Sequence, residues 1–72
     1  MSIKIYTLED IALPAMTAKE VLEMAYNSNW ETRSIAEQAR EDTVITFHLS
    51  FPITVSSAAA KQVLEGIKQC QQ

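Results

Sequence analysis

The side chains that could act as a base or a nucleophile are few in this sequence. His48 is the single histidine, and Ser50 lies two residues further along the same face of a predicted strand. Residues at that spacing lie about 7 Å apart, too far for a direct hydrogen bond. Cys70 is the single cysteine and lies near the end of a predicted helix, where the helix dipole disfavours a thiolate. We therefore expect no catalytic site and a protein that is not an enzyme.

Acid–base pairs, metal sites and phosphate loops are equally poorly supported. Two groups of acids are close in sequence, namely Glu37, Glu41 and Asp42 in one and Glu9 and Asp10 in the other. Both groups have the character of solvated helix and turn residues. One histidine and one cysteine cannot build a four-ligand metal site without carboxylates from elsewhere. Because Gly66 is the only glycine, a glycine-rich phosphate loop is excluded. We expect no metal and no cofactor.

The clearest structural pattern is the alternation of residues 43–51, which predicts a half-buried strand. One face carries four apolar side chains, Ile45, Phe47, Leu49 and Phe51. Pro52 ends this strand, and residues 53–55 remain extended, as a bent continuation in our interpretation. A first strand is predicted at residues 3–6, with Ile3 and Ile5 on one face.

Three helices are predicted around these strands. The first begins at Thr17, which has capping-box spacing to Glu20, and buries Ala18, Val21, Leu22 and Ala25. The second runs over residues 30–40 after a break at 27–29, with a second capping box from Ser28 to Glu31, and buries Ile35, Ala36 and Ala39. A strand at 30–35 is the rival interpretation, and strong helix formers at 36–41 favour the helix. The third, capped by Ser56 or Ser57, buries Ala60, Val63, Leu64 and Ile67, and its last glutamines, including Gln71 and Gln72, are expected to fray.

These elements predict one domain over residues 1–72 with the order β-α-α-β-α. Helices on one face of a two- to three-stranded sheet make a small two-layer α/β sandwich of the α+β class. Two strands alone form a poor sheet, so at least one edge stays open unless residues near Trp30 or Ile53 pair there. An open edge can bind another strand, through dimerisation or addition to a partner's sheet.

The charge distribution suggests which partners to expect. The net charge is −3, and residues 9–42 carry eight acids against three basic residues, which leaves a weakly basic remainder. This balance disfavours a broad phosphate-binding surface and permits a basic protein partner, although a solvated acidic helix surface is the preferred explanation. Residues 1–5 lack the features of a signal peptide, and no apolar run is long enough to span a bilayer. We expect a cytoplasmic protein with no membrane contact.

Residues 21–40 resemble a helix-turn-helix motif in part. Ala25 matches the small residue of the first helix, Asn29 the turn position and Ile35 the buried residue of the recognition helix. The resemblance implies a small DNA-binding regulator in which Thr32, Arg33, Ser34 and Glu37 face the groove and Arg40 contacts the backbone. The bulky Trp30, the polar Gln38 and the acidic Glu31 and Glu37 depart from the motif. A structural αα-hairpin that packs on the sheet is therefore the preferred interpretation, and nucleic acid is not the expected partner.

Two aromatic residues flank the predicted break between the helices. Tyr26 and Trp30 are of the types enriched at binding hot spots, and Glu31, Arg33 and Glu37 lie beside them. These five residues are our candidate partner-binding site. The alternative is that Trp30 closes the open end of the core.

The leading hypothesis is a non-enzymatic protein-binding module that occupies a partner surface, as a homo-oligomer or a heteromer. In size, acidity and low cysteine content the chain is similar to phage and mobile-element inhibitors, such as anti-CRISPR proteins, and to antitoxins. That resemblance implies an inhibitor or regulator. The other hypotheses are the DNA-binding regulator and an assembly subunit that completes a partner's sheet.

Overall fold

The computed structural model describes residues 3–70, and the side chains of residues 3–69. The strands are β1 (Ile11–Leu13), β2 (Met16–Thr17), β3 (Val44–His48) and β4 (Pro52–Ser56), and the helices are α1 (Ala18–Ser28), α2 (Trp30–Gln38) and α3 (Ser57–Cys70). The expected fraying of Gln71 and Gln72 lies outside the described residues. Among the helices described, none has the length and apolar character needed to cross a membrane.

The mixed α/β class is as predicted. Each pair of strands forms a separate antiparallel hairpin, β1 with β2 and β3 with β4. With each hairpin counted as one β unit, the order is the predicted β-α-α-β-α.

The position of the first β unit was predicted wrongly. Ile3 and Ile5 are mostly exposed, and of this segment only Tyr6 pairs with the sheet, through a single parallel bridge to Val55. The first hairpin instead lies at residues 11–17, which the sequence pattern left as a connection. Its two-residue turn contains Pro14, and Ala15 has a left-handed φ of 72°. Pro14 favours such a turn because its ring fixes φ.

The second hairpin forms the sheet side of the core. Ile45 pairs with Val55 and Phe47 with Ile53, and all four side chains are buried. The extended segment 53–55 is therefore a separate strand that pairs with β3. The predicted strand over residues 43–51 ends earlier, at His48, so that residues 49–51 form the turn to Pro52.

Helices α1 and α3 have the predicted starts and buried faces. The hydroxyl of Thr17 accepts a hydrogen bond from the N–H of Glu20 at 3.3 Å, and the Glu20 carboxylate accepts one from the N–H of Thr17. Ser56 caps α3 by accepting a hydrogen bond from the N–H of Ala59 at 3.1 Å. The predicted stripes of both helices are buried, and Tyr26 joins the stripe of α1.

Residues 30–38 are helical, as preferred, but α2 differs in its cap and in its buried face. Asn29 is the N-cap in place of Ser28, and its side-chain oxygen accepts a hydrogen bond from the N–H of Glu31 at 2.9 Å. Thr32 and Ala36 are buried, whereas Ile35 is half exposed. The prediction that Ile35 is buried was wrong because a helix this short presents one narrow stripe to the core, and Ile35 lies about 100° from Ala36.

Candidate functional site

One feature of the surface is an apolar groove of about 470 Å³, which we call the Met24 groove. It lies between α1, the turn of the first hairpin and the loop between β3 and β4. Its apolar lining includes Leu13, Met16, Val21, Met24, Leu49 and Phe51. A volume of this size falls within the range of small-ligand and peptide-anchor pockets.

The floor of the Met24 groove follows from the periodicity of α1. Val21, Met24, Ala25 and Ser28 all line it. Residues at spacings of three, four and seven share one face of a helix, so these side chains form a continuous stripe. Val21 and Ala25 also belong to the buried face of α1, whereas Met24 is 61% exposed. The groove therefore begins at the core and opens to solvent at Met24.

Trp30 lies immediately beside this groove in the chain. Asn29 is one of the lining residues, and the Cα atom of the next residue is about 3.8 Å away. The Trp30 side chain is 73% exposed at the first position of α2. The alternative that Trp30 closes the core is therefore wrong, because most of its surface is in contact with water.

The break between α1 and α2 is fixed by hydrogen bonds to polar side chains. Asn29 is extended, with φ −149° and ψ 114°, and its N–H donates to the carbonyl of Ala25 at 3.0 Å. The Arg33 guanidinium donates to the carbonyl of Tyr26 near the end of α1. A cation at this position interacts favourably with the helix dipole and satisfies a carbonyl that the helix leaves free. The break thus holds Trp30 at a defined place on the surface.

Tyr26 does not belong to the surface site. Its side chain is fully buried, its hydroxyl donates a hydrogen bond to the carbonyl of Ala60 at 2.9 Å, and its ring packs edge to face on Phe47 at 6.1 Å between centroids. Burial raises the pKa of the Tyr26 hydroxyl. Predicting it as a contact residue was wrong because the α1 stripe continues from Leu22 to Tyr26 at a spacing of four residues.

The predicted charged residues have different environments. Glu31 is exposed next to Trp30, while Arg33 is partly buried by its contact with α1. Glu37 forms an ion pair with Lys68 that joins α2 to α3, with 2.8 Å between Oε1 of Glu37 and Nζ of Lys68. The hydrogen bond to Glu37 raises the pKa of Lys68. Of the five candidates, Trp30 and Glu31 are exposed at the start of α2, next in the chain to the groove residue Asn29.

Sequence reasoning missed the residues that make the groove. Met24 lies three residues from Val21, which would have placed it at the edge of the buried stripe. Leu49 and Phe51 were assigned to the buried face of one long strand, and the structure shows them only partly buried in the turn after His48. The only signal available was Pro52, because a proline after an apolar run is also compatible with a tight turn.

The lining of the Met24 groove also contains polar side chains. His48, Ser50, Ser28 and Thr32 line it, and within residues 3–70 no hydrogen bond or ion pair joins His48 to a serine or an acid. The described part of the chain also contains no group of three potential metal ligands.

A second groove, of about 870 Å³, lies between α1 and α3. Glu9, Glu23 and Glu65 line it, with Lys19 as the basic residue among them. Elsewhere on this acidic surface, Asp10 accepts a hydrogen bond from the N–H of Thr7 at 2.8 Å, which lowers the pKa of its carboxyl group. The surface around the first hairpin and α1 is therefore negatively charged.

The geometry of residues 21–40 departs from the helix-turn-helix motif. A single extended residue, Asn29, separates α1 from α2, whereas that motif uses a turn of three or four residues. Thr32, which would face the DNA groove, is buried, and Arg33 donates to the carbonyl of Tyr26. Ser34 and Arg40 are positioned near the surface.

Comparison of the chain with known protein families, with curated proteins and with solved structures found no match.

Proposed function

We propose that this chain is a non-enzymatic protein-binding module that receives an apolar segment of a basic partner protein in the Met24 groove. The observation that carries the proposal is the pairing of an apolar groove with a largely exposed tryptophan beside it. Tryptophan provides a large contact area at a low cost in side-chain entropy, and it is among the residues most enriched at binding hot spots.

The fixed position of Trp30 strengthens this proposal. Asn29 and Arg33 hold the break between α1 and α2 through hydrogen bonds, so that binding does not have to order the backbone around Trp30. A surface that is already ordered loses less entropy when a partner binds. Met24 and Leu13, both exposed at the groove, add apolar area of the kind that the centre of an interface uses.

Charge supports the choice of a basic partner. Glu31 lies next to Trp30, and three glutamates line the second groove on the other side of α1. Complementary charge increases the rate at which a partner associates and disfavours acidic competitors. The proposed role as a cytoplasmic inhibitor or regulator, as in anti-CRISPR proteins or antitoxins, rests on size and charge alone.

The DNA-binding regulator is the less supported alternative. Its recognition helix would be α2, which carries Glu31 and Glu37 against Arg33, and Arg33 already binds the carbonyl of Tyr26. Phosphate groups bind where basic residues outnumber acids. The assembly-subunit hypothesis has its support in β3, which pairs with β4 as its single partner strand within residues 3–70.

The test is capture of partners from native lysate by the tagged chain, with and without nuclease, read by mass spectrometry. We compare the wild type with Trp30→Ala, Met24→Lys and the control Ile35→Ala. Ile35 is a half-exposed apolar residue of α2 that does not line the Met24 groove, so its loss leaves the groove intact. Each variant is first checked for an unchanged melting temperature.

We expect a protein that is retained after nuclease treatment and at moderate salt, and whose recovery falls at least about 30-fold with Trp30→Ala. Met24→Lys should have a comparable effect, and Ile35→Ala should have little. Equal recovery with all three variants would refute the groove as the binding site. Recovery of nucleic acid alone, lost at moderate salt, would favour the DNA-binding alternative.

A further inference from the structure

The outer edge of β3 has backbone groups that pair with nothing in residues 3–70. Within the described residues, β3 pairs on one side with β4, and β4 in turn pairs with Tyr6 on its other side. The order across the sheet is therefore the Tyr6 segment, β4 and β3, and β3 is the terminal strand. No backbone hydrogen bond within residues 3–70 reaches its outer side.

The register shows which groups point outward. The N–H of Ser57 donates to the carbonyl of Thr43 at 2.9 Å, and antiparallel pairs alternate between bonded and non-bonded types. Ile45 and Phe47 consequently form the bonded pairs with β4, while the N–H and C=O groups of Val44, Thr46 and His48 point away from it. The N–H of Tyr6 bonds to the carbonyl of Thr54, the partner of Thr46, which agrees with this assignment.

Pro52 gives an independent confirmation of this register. It lies opposite His48, in a non-bonded pair, so that its missing N–H removes no hydrogen bond from the hairpin. The hairpin is thus fully bonded internally, and all three outward pairs on β3 are available to another strand.

This edge lacks the features by which proteins prevent strand addition. Residues 44–48 contain no lysine, glutamate, aspartate or proline, and the pairing with β4 runs over five consecutive residues without a bulge. Charged side chains, prolines and bulges are the usual protection of an exposed edge. Val44 is also about half exposed on this strand.

We propose that β3 pairs with β3 of a second copy of this chain, antiparallel and around a twofold axis at Thr46. In this register Thr46 lies opposite Thr46, and Val44 lies opposite His48 of the other copy. All three outward residues then form bonded pairs, because they alternate symmetrically about Thr46. The two hairpins become one four-stranded sheet, which is more stable than an isolated pair of strands.

The side chains and charges are compatible with this self-pairing. Threonine hydroxyls already bond across the hairpin, between Thr46 and Thr54 at 2.8 Å, and the same contact is available between the two copies of Thr46. The acids before β3 do not meet each other in this register, because Asp42 of one copy lies opposite Ser50 of the other. A basic partner of a different sequence would find no acidic side chain to pair with at this edge, because residues 44–48 contain no aspartate or glutamate.

The inference does not depend on the proposed function, because the edge and the Met24 groove share only His48. The test is the association state of the full chain, measured by sedimentation equilibrium from about 1 μM to about 1 mM in reducing buffer. Reducing conditions prevent a disulfide between the Cys70 thiols of two chains.

Two double variants test the register. Val44→Lys with His48→Lys places like charges opposite each other across the axis, and Val44→Lys with His48→Glu places opposite charges there. Within one chain these positions are about 13 Å apart, so the intrachain interaction is weak. We expect a wild-type dimer, weakened by the first variant, and a dissociation constant for the second that is at least about tenfold lower than for the first.

A third variant tests the edge itself. Thr46→Pro removes an outward N–H that β4 does not use, and Thr46→Val is its control because it retains the N–H and the branched shape. We expect Thr46→Pro to be monomeric and Thr46→Val to remain dimeric, both with folded circular dichroism spectra. A wild type that stays monomeric throughout the range would refute the proposal. So would a dimer that responds equally to both double variants.

Discussion

The role of Tyr26 in the structure differs from the role that its position in the sequence predicted. The sequence places it beside the interhelical break, where an exposed tyrosine would suit an interface. In the fold it instead contacts Phe47 and the carbonyl of Ala60, and so connects α1 to the sheet and to α3. Its burial therefore predicts an effect on stability.

We predict that Tyr26→Phe lowers the free energy of unfolding by about 1 kcal/mol, because it removes one buried hydrogen bond and little volume. Urea unfolding at neutral pH measures this. The matched control is Tyr6→Phe, since Tyr6 is only partly buried, and we expect it to have a smaller effect. An equal loss of stability from both variants would contradict the role assigned to the Tyr26 hydroxyl.

The raised pKa of Tyr26 also predicts a dependence on alkaline pH. The unfolded chain ionises this hydroxyl near pH 10 and the folded chain only at higher pH. The contribution of the neutral hydroxyl to the free energy of unfolding is therefore complete below about pH 10 and is lost as the pH rises. Above that pH the wild type should lose up to about 1.4 kcal/mol per pH unit more than Tyr26→Phe does. If the free energies of unfolding of the two proteins change in parallel up to about pH 11, this prediction is refuted.

At the scale of elements, the break between α1 and α2 depends on Asn29. We predict that Asn29→Ala lowers the free energy of unfolding by about 1 kcal/mol, because the N–H of Glu31 loses its cap. Asn27→Ala, at an exposed position inside α1, is the matched control and should leave stability nearly unchanged. Chemical unfolding gives both values, and a similar result for the two variants would mean that the cap contributes little.

Helix α3 contains one residue that weakens it. Gly66 lies in the helix interior, and a Cβ atom added there would meet no other atom within 4 Å. We predict that Gly66→Ala raises the free energy of unfolding by about 1 kcal/mol, because alanine loses less backbone entropy on folding. Thermal melting measures the gain, and the exposed Gln62→Ala serves as control with a much smaller change. A destabilised Gly66→Ala would show that this backbone needs glycine.

The elements also show how far the sequence pattern could be taken. The buried stripes of α1 and α3 were predictable because an apolar stripe that continues over several helical turns has to face the core of a two-layer fold. The first hairpin was not, because β1 and β2 comprise three and two residues and present no alternation long enough to detect. The Met24 groove could not be predicted because it forms where α1 and two hairpins that are distant in the sequence come together.

At the scale of the whole molecule, the small core makes association matter for stability. A 72-residue chain buries a limited fraction of its surface, and pairing through β3 would bury more of it. We predict that the melting temperature of the wild type rises with protein concentration, because a dimer is favoured by mass action. Thr46→Pro should melt at one temperature over the same range, and a wild type without concentration dependence would contradict the paired edge.

The sequence by itself determined the class, the three helices, the two buried helical stripes and the strand that contains Ile45 and Phe47. These features depend on local periodicity and on caps such as Thr17 and Ser56, which act between neighbours in the chain. Only the tertiary structure decided that Tyr26 is buried, that Trp30 is exposed beside a groove and that β3 ends the sheet. Such outcomes depend on which segments meet across the fold, and the pattern of one segment carries no information about its distant neighbours.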